Sequence, residues 1–180
     1  VFMECKGIVR RVDELGRIVL PREMRKSLNI REGTKLEIGI VDGSKFLLSK
    51  YSDMVSLKEY SDAIANAISV CIEHDIIITD MENVLSASKK KYIGKQVKEE
   101  IQELIYKKEV IIKKLDDGSE MLEFFAGFGT EYCCQLIVPI VKDGDAIGSI
   151  IVLTTENKCF DDGSIKICKC FAKYLSDQIS

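Results

Sequence analysis

Hydrophobic and polar positions follow two different rhythms along the chain. In Gly7–Leu28, GIVRRVDELGRIVLPREMRKSL, branched apolar residues and arginines share the same short segments instead of taking opposite faces. Gly7–Val12 and Arg17–Leu20 read as strands around a four-residue turn, Asp13-Glu14-Leu15-Gly16. Pro21 opens a short helix at its first position, where the missing N–H costs nothing, and Asn29 closes it. Lys35–Val41 and Lys45–Ser49 flank Asp-Gly-Ser, a hairpin signal.

Past a tether near Lys50–Val55 the period becomes helical. Ser56-Leu57-Lys58-Glu59 fits a capping box, and Leu57, Tyr60, Ile64, Ala67 and Cys71 follow as an apolar stripe. Ile165, Cys168, Ala172, Leu175 and Ile179 form a second stripe. Between them the pattern predicts a strand at Asp75–Thr79, a turn at Met81–Asn83 and a strand at Val84–Ala87. An amphipathic helix at Gly94–Tyr106 and a strand at Val110–Leu115 come next, then a hairpin of Leu136–Val141 and Ala146–Leu153 across Lys142-Asp143-Gly144-Asp145. The expected fold class is α+β in two domains: a β-rich unit over 1–52, and over 56–180 an antiparallel sheet wrapped by helices. The two framing helices either pack on that core or pair with their copies in another subunit as a helical bundle.

About fifty residues with two hairpins and one short helix bury little, and units this small rely on a metal, a disulfide or a partner chain. The seven cysteines are scattered and form no C-x-x-C pair, so neither a zinc site nor a disulfide framework is expected, and free thiols point to a reducing cytoplasm. A partner chain would cover branched residues on both faces of the strands. Packing on the chain's own second unit is the equal alternative.

Charge sharpens the division. The net charge of −3 hides 11 Lys+Arg against 7 Asp+Glu over residues 1–52, a balance of +4, and −7 over the remainder. A basic head on an acidic body suits contact with a polyanion. A composition of 46% hydrophobic and 31% charged residues is that of a globular protein. The longest apolar run, Cys133–Val141, falls far short of the ~20 residues that span a bilayer, so no membrane role is expected. No charged stretch leads into an apolar one near the start, which argues against a secretory signal, and Val1 and Phe2 ahead of Met3 carry no weight.

The run GIVRRVDELGRIVLPREMRKSLNIREG closely resembles the N-terminal domain of the AbrB-type transition-state regulators of spore-forming bacteria. The likeness is dense over Gly7–Tyr51. Beyond it, element order and fragments such as VPIVKDGDAIGSIIVLT resemble members carrying a C-terminal GAF-like domain. This resemblance implies that two chains swap hairpins into one dimeric unit that binds double-stranded DNA. By motif position, the DNA contacts fall on Arg10, Arg17 and Arg25, with Lys26 in a slot often held by arginine, and Arg11 and Arg22 add charge nearby. Lysine supplies a point charge for phosphate but lacks the planar fork that reads guanine. The GAF-like part implies oligomerisation, here of dimers into a homo-tetramer, and a pocket for a small-molecule effector. An effector that rotated the helix from Ser56 would change the spacing of the basic surfaces. Together these imply a cytoplasmic regulator of sporulation-stage genes acting in the forespore, as activator or repressor, without metal or cofactor.

Phe124–Cys134, FFAGFGTEYCC, is a glycine-containing loop whose Phe124, Phe125, Phe128 and Tyr132 are the candidates to line an effector pocket; a mobile loop without ligand is the equal alternative. Asn157-Lys158-Cys159-Phe160 begins like the signature of cyclic-nucleotide-binding GAF domains, but Ser164 and Ile165 stand where its acidic pair belongs. Asp161 or Asp162 is instead expected to cap the last helix. Enzyme readings are weak. His74 stands alone, no serine or cysteine has an evident base partner, and Cys133, Cys134, Cys159 and Cys168 read as small buried hydrophobes before thiol catalysts. The run Lys89–Lys91 reads most simply as a solvated loop, with an extension of the DNA contact as the alternative. Two alternatives stay open: an antitoxin of the same N-terminal fold, and a GAF-type thiol enzyme tethered to DNA.

Overall fold

The computed structural model describes residues 7–28, 30–51, 58–156 and 159–179. The chain divides into two compact units, Val1–Tyr51 and Ser52–Ser180.

In the first unit, helix α1 (Arg22–Ser27) follows Pro21, which sits one residue before the helix as its cap. Strands β1 (Leu36–Val41) and β2 (Lys45–Lys50) pair antiparallel with Val41 opposite Lys45. Asp42 and Gly43 close the turn with φ of 53° and 66°, the left-handed pair that a tight hairpin requires. Gly7–Val12 and Arg17–Leu20, expected as strands, form none. A strand needs a neighbour, and the backbone hydrogen bonds here stay at the turn itself, from Asp13 N to Arg17 O and from Gly16 N to Asp13 O, both at 3.0 Å. Asn29, expected to close α1, lies outside the described residues.

The second unit is built on one antiparallel sheet. Helix α2 (Lys58–Ile72) leads into β3 (Asp75–Asp80) and β4 (Val84–Ala87), followed by α3 (Glu99–Tyr106) and β5 (Ile111–Lys114). The long hairpin β6 (Cys134–Lys142) and β7 (Asp145–Thr154) then precedes α4 (Asp162–Gln178). The strand order is β4-β3-β7-β6-β5. The central strands read as unbroken apolar runs because both faces are covered. Ile76, Ile78, Val138, Ile150 and Val152 face α2 and α4, whereas Ile77, Ile137, Ile151 and Leu153 face α3 and the loop before β6. Each such side chain contributes roughly 1.5–3 kcal/mol on burial.

Three sequence expectations change. The buried face of α2 is Ser61, Ile64, Ala65 and Ile68, while Tyr60, Ala67 and Cys71 of the expected stripe are exposed. The helix carries two apolar stripes, and the sheet takes the one whose small residues, Ser61 and Ala65, permit close approach. The capping box at its start, Ser56 and Leu57, and the tether before it lie outside the described residues. The helix expected from Gly94 starts only at Glu99. Its first residues are engaged by another segment: Lys95 O accepts from Val84 N at 3.0 Å, and Val97 N donates to Glu82 O at 2.7 Å. Finally, Cys134 and Cys159 are joined in a disulfide, Cα atoms 5.7 Å apart, where no disulfide was expected. The pairing is nonlocal: β7 returns Thr154 beside Cys134, which brings a cysteine five residues later to the same place.

The close crossing of β3 and β7 depends on Gly148, where an added Cβ would lie 2.1 Å from Thr79 O. Gly148→Ala is expected to destabilise the second unit by at least ~2 kcal/mol in urea titration. Asp161 caps α4, its carboxylate accepting from Ser164 N at 2.7 Å. Asp161→Ala is expected to lower stability by about 1 kcal/mol in the same measurement.

Candidate nucleic-acid interface

Asp13 organises the turn of the first unit. Its carboxylate accepts from Leu15 N at 3.0 Å, Arg17 N at 2.8 Å and Arg17 Nε at 2.7 Å. Hydrogen bonds from Arg17, its backbone N–H first, hold the Asp13 carboxyl below the ordinary carboxylate range. The turn therefore stays ionised and tied to lower pH than a free aspartate would allow. Gly16 closes it with a φ of 76°. Arg17 is thus directed by its own turn while 71% of its side chain stays exposed.

The other five basic candidates are exposed as well. Arg10 and Arg11 lie on the segment entering the turn; Arg22, Arg25 and Lys26 lie on α1. Among the described residues, Arg17 alone of the six is ion-paired. Solvated charges of this kind can exchange water and counterions for phosphate oxygens. The segments around the turn expose Val9 at 91%, Leu15 at 74% and Val19 at 76%, β2 exposes Phe46 at 77%, and Pro21 is the only buried described residue of the unit. So much apolar surface beside clustered cations has no interior of its own to enter.

The aromatic candidates of the second unit lie elsewhere, against the α3 side of the sheet. Phe124, Phe125 and Tyr132 are buried there with Ile77, Ile101 and Ile151; Phe128 is half-buried, with Lys95 Nζ 3.8 Å from its ring centre. Tyr92, whose importance no sequence signal announced, joins them to a polar cluster. Its hydroxyl donates to Asp75 Oδ2 at 2.6 Å and also meets the Tyr132 hydroxyl, to which Lys91 Nζ donates at 2.9 Å. Burial, then the hydrogen bond with Asp75, pushes the Tyr92 hydroxyl far above its ordinary range, so it stays neutral. Lys89 pairs with Asp75 at 2.6 Å, so two residues of the lysine run, Lys89 and Lys91, serve this cluster and are not simply solvated. Gln135 fixes the aromatic loop: its Nε2 donates to Leu122 O at 2.9 Å and Gly129 O at 2.7 Å, and its Oε1 accepts from Leu122 N at 2.9 Å. A lone buried glutamine inside an apolar strand was the available hint.

Of the cysteines read as small hydrophobes, Cys168 fits that role: it is fully buried, and burial pushes its thiol up to about 12. His74 sets its ring edge-on to Phe160, centres 5.5 Å apart. Asn157 and Lys158 of the cyclic-nucleotide-like run lie outside the described residues. No helix among the described residues is long and apolar enough to cross a membrane.

Comparison with known proteins bears on both units. The family described as Stage V sporulation protein T C-terminal, transcription factor matches residues 56–180. The family described as Antidote-toxin recognition MazE, bacterial antitoxin, matches residues 9–55. Stage V sporulation protein T of Bacillus subtilis (strain 168) is 31% identical over 157 residues, 86% of each chain. Transition state regulatory protein AbrB of the same organism is 55% identical over 51 residues, 28% of this chain and 52% of AbrB. The GAF domain of an Acinetobacter phosphoenolpyruvate-protein phosphotransferase resembles this chain with a TM-score of 0.57 at 14% identity, covering 73% of this chain and 84% of that one. At that identity the likeness is one of fold. An AbrB-like N-terminal unit thus precedes a GAF-like C-terminal one, and the chain belongs to the stage V sporulation protein T family of transcription factors.

Proposed function

We propose that this protein regulates sporulation-stage genes by binding double-stranded DNA through an intertwined dimer of its first unit. The observation that carries the reading is the pairing of two surfaces on one small unit: unburied branched residues and exposed guanidinium groups. A second copy covers the first and duplicates the second, setting Arg10, Arg17, Arg25 and Lys26 twice along a duplex. Arg11 and Arg22 add phosphate contacts. Lys26 neutralises phosphate without reading a base, so selectivity comes from the arginines and from DNA shape. Binding of this type releases counterions and weakens steeply with salt.

The GAF-like unit joins dimers into a tetramer. Support comes from α2, which presents its second stripe, Tyr60, Ala67 and Cys71, outward, and from Tyr174 on α4, 45% exposed. A small effector enters at Phe128, the half-buried member of the aromatic group, and displaces it from Phe124, Phe125 and Tyr132; coupling to DNA runs through α2. The protein acts in the cytoplasm of the forespore, as a regulator and not as an enzyme. The MazE family match favours one further reading, an antitoxin whose C-terminal part wraps a toxin. A pull-down that recovered a small nuclease would establish it over the regulator.

Arg17→Ala is expected to weaken DNA binding at least ~tenfold in a salt-series titration, with an unchanged mass by light scattering. Unaltered binding would remove the turn arginine from the interface. Tyr60→Glu is expected to reduce the tetramer to dimers in the same light-scattering measurement while the second unit keeps its circular dichroism. A persistent tetramer would move the contact off the outer stripe of α2.

A further inference from the structure

A cavity of about 330 Å³ opens in the second unit away from the aromatic cluster, and its lining includes Cys133, Cys134 and Cys159, together with Lys114, Asp116 and Asp117. Two of these cysteines are bonded to each other. We propose that Cys134 and Cys159 form a reversible thiol–disulfide site that reacts with low-molecular-weight disulfides entering this cavity, and that its redox state sets how firmly α4 is seated on the sheet.

The geometry separates the two sulfurs by role. Cys134 begins β6, is 2% exposed, and is held in the ladder opposite Thr154. Cys159 is half-buried, so it is the sulfur that an incoming disulfide meets first. In the oxidising direction, the Cys159 thiolate attacks one sulfur of the reagent RSSR and expels RS⁻, giving a mixed disulfide. The Cys134 thiolate then attacks the Cys159 sulfur and expels the second RS⁻. Two protein thiols and one RSSR become one protein disulfide and two RSH once both leaving thiolates take up the protons released, a two-electron exchange. In the bonded form the Cα atoms lie 5.7 Å apart, within the range a disulfide spans.

The bond acts on α4 because of where Cys159 stands. It lies two residues before Asp161, the residue that caps the helix. Cys168, Ala172 and Leu175 of α4 pack against Leu136 and Val138 of β6 in one apolar cluster. The disulfide therefore ties the entrance of α4 to the first residue of the strand beneath it. After reduction, that entrance keeps the Asp161 cap and the burial of Phe160, and loses its covalent tie.

The test uses the full chain equilibrated in buffers of oxidised and reduced glutathione, with free thiols alkylated after denaturation and located by peptide mass. Cys134 and Cys159 are expected to convert together in one two-electron transition, while Cys71, Cys168 and Cys170 remain thiols. Reduced protein is expected to exchange amide hydrogens over Cys159–Ile165 at least ~tenfold faster than oxidised protein, with β3 and β7 unchanged. Cys159→Ser should show the fast pattern in either buffer. A pair that stays reduced in oxidising buffer, or a rate at the α4 entrance that ignores redox state, overturns the proposal. The readout lies wholly in the second unit and is independent of the DNA-binding reading.

Discussion

The first unit has an outside and almost no inside. Its described residues bury one side chain, Pro21, and leave Val9, Val19, Ile38 and Phe46 facing solvent. A domain of this size gains too little from burial to offset the entropy of ordering its chain. The constraint accounts for what is otherwise odd in the sequence, arginines and branched residues crowded into the same segments. An ordinary strand sorts its side chains by face because one face meets a core and the other meets water. A segment lying between two chains can bury apolar groups on both sides and send its long cations past the rim.

The second unit solves the opposite problem. Its sheet is covered on both faces, and the two central neighbours β3 and β7 come from distant parts of the chain. What lets them approach is local: Gly148 under the Thr79 carbonyl, and a Thr79–Ser149 hydroxyl contact of 2.9 Å that satisfies both buried groups. The polar residues inside this unit follow the same rule. Asp75, Tyr92, Tyr132 and Gln135 are each buried against partners that answer their hydrogen bonds. Partnered burial seats Phe124, Phe125 and Tyr132 in the core, while Ala126, Gly127, Thr130 and Glu131 of the same loop stay exposed.

Local signals in the sequence were read well where local physics decides the outcome. Val84–Ala87, the turn before it, the β6–β7 hairpin and the Asp161 cap all follow from residue type and near neighbours. The residues that escaped reading are those whose role is set by a distant segment. Gly94–Lys98 has helical character but pairs with residues 82–84. Cys134 and Cys159 have no motif spacing, and only the return of β7 brings them together. On α2 one stripe was expected, and the sheet took the neighbouring one, Ser61, Ile64, Ala65 and Ile68. The basic candidates rest on charge and motif resemblance, and the structure adds that all six are exposed.

The account stands on the claim that the first unit acquires its interior from a second copy. Filtered NOE spectra of full-length protein mixed from isotope-labelled and unlabelled chains test this directly. Methyl groups of Ile8, Val9 and Val19 should show contacts to the unlabelled chain, and the segments Gly7–Val12 and Arg17–Leu20 should become protected strands. If those methyls contact only their own chain, with residues 7–51 folded as an independent monomer, the account is contradicted.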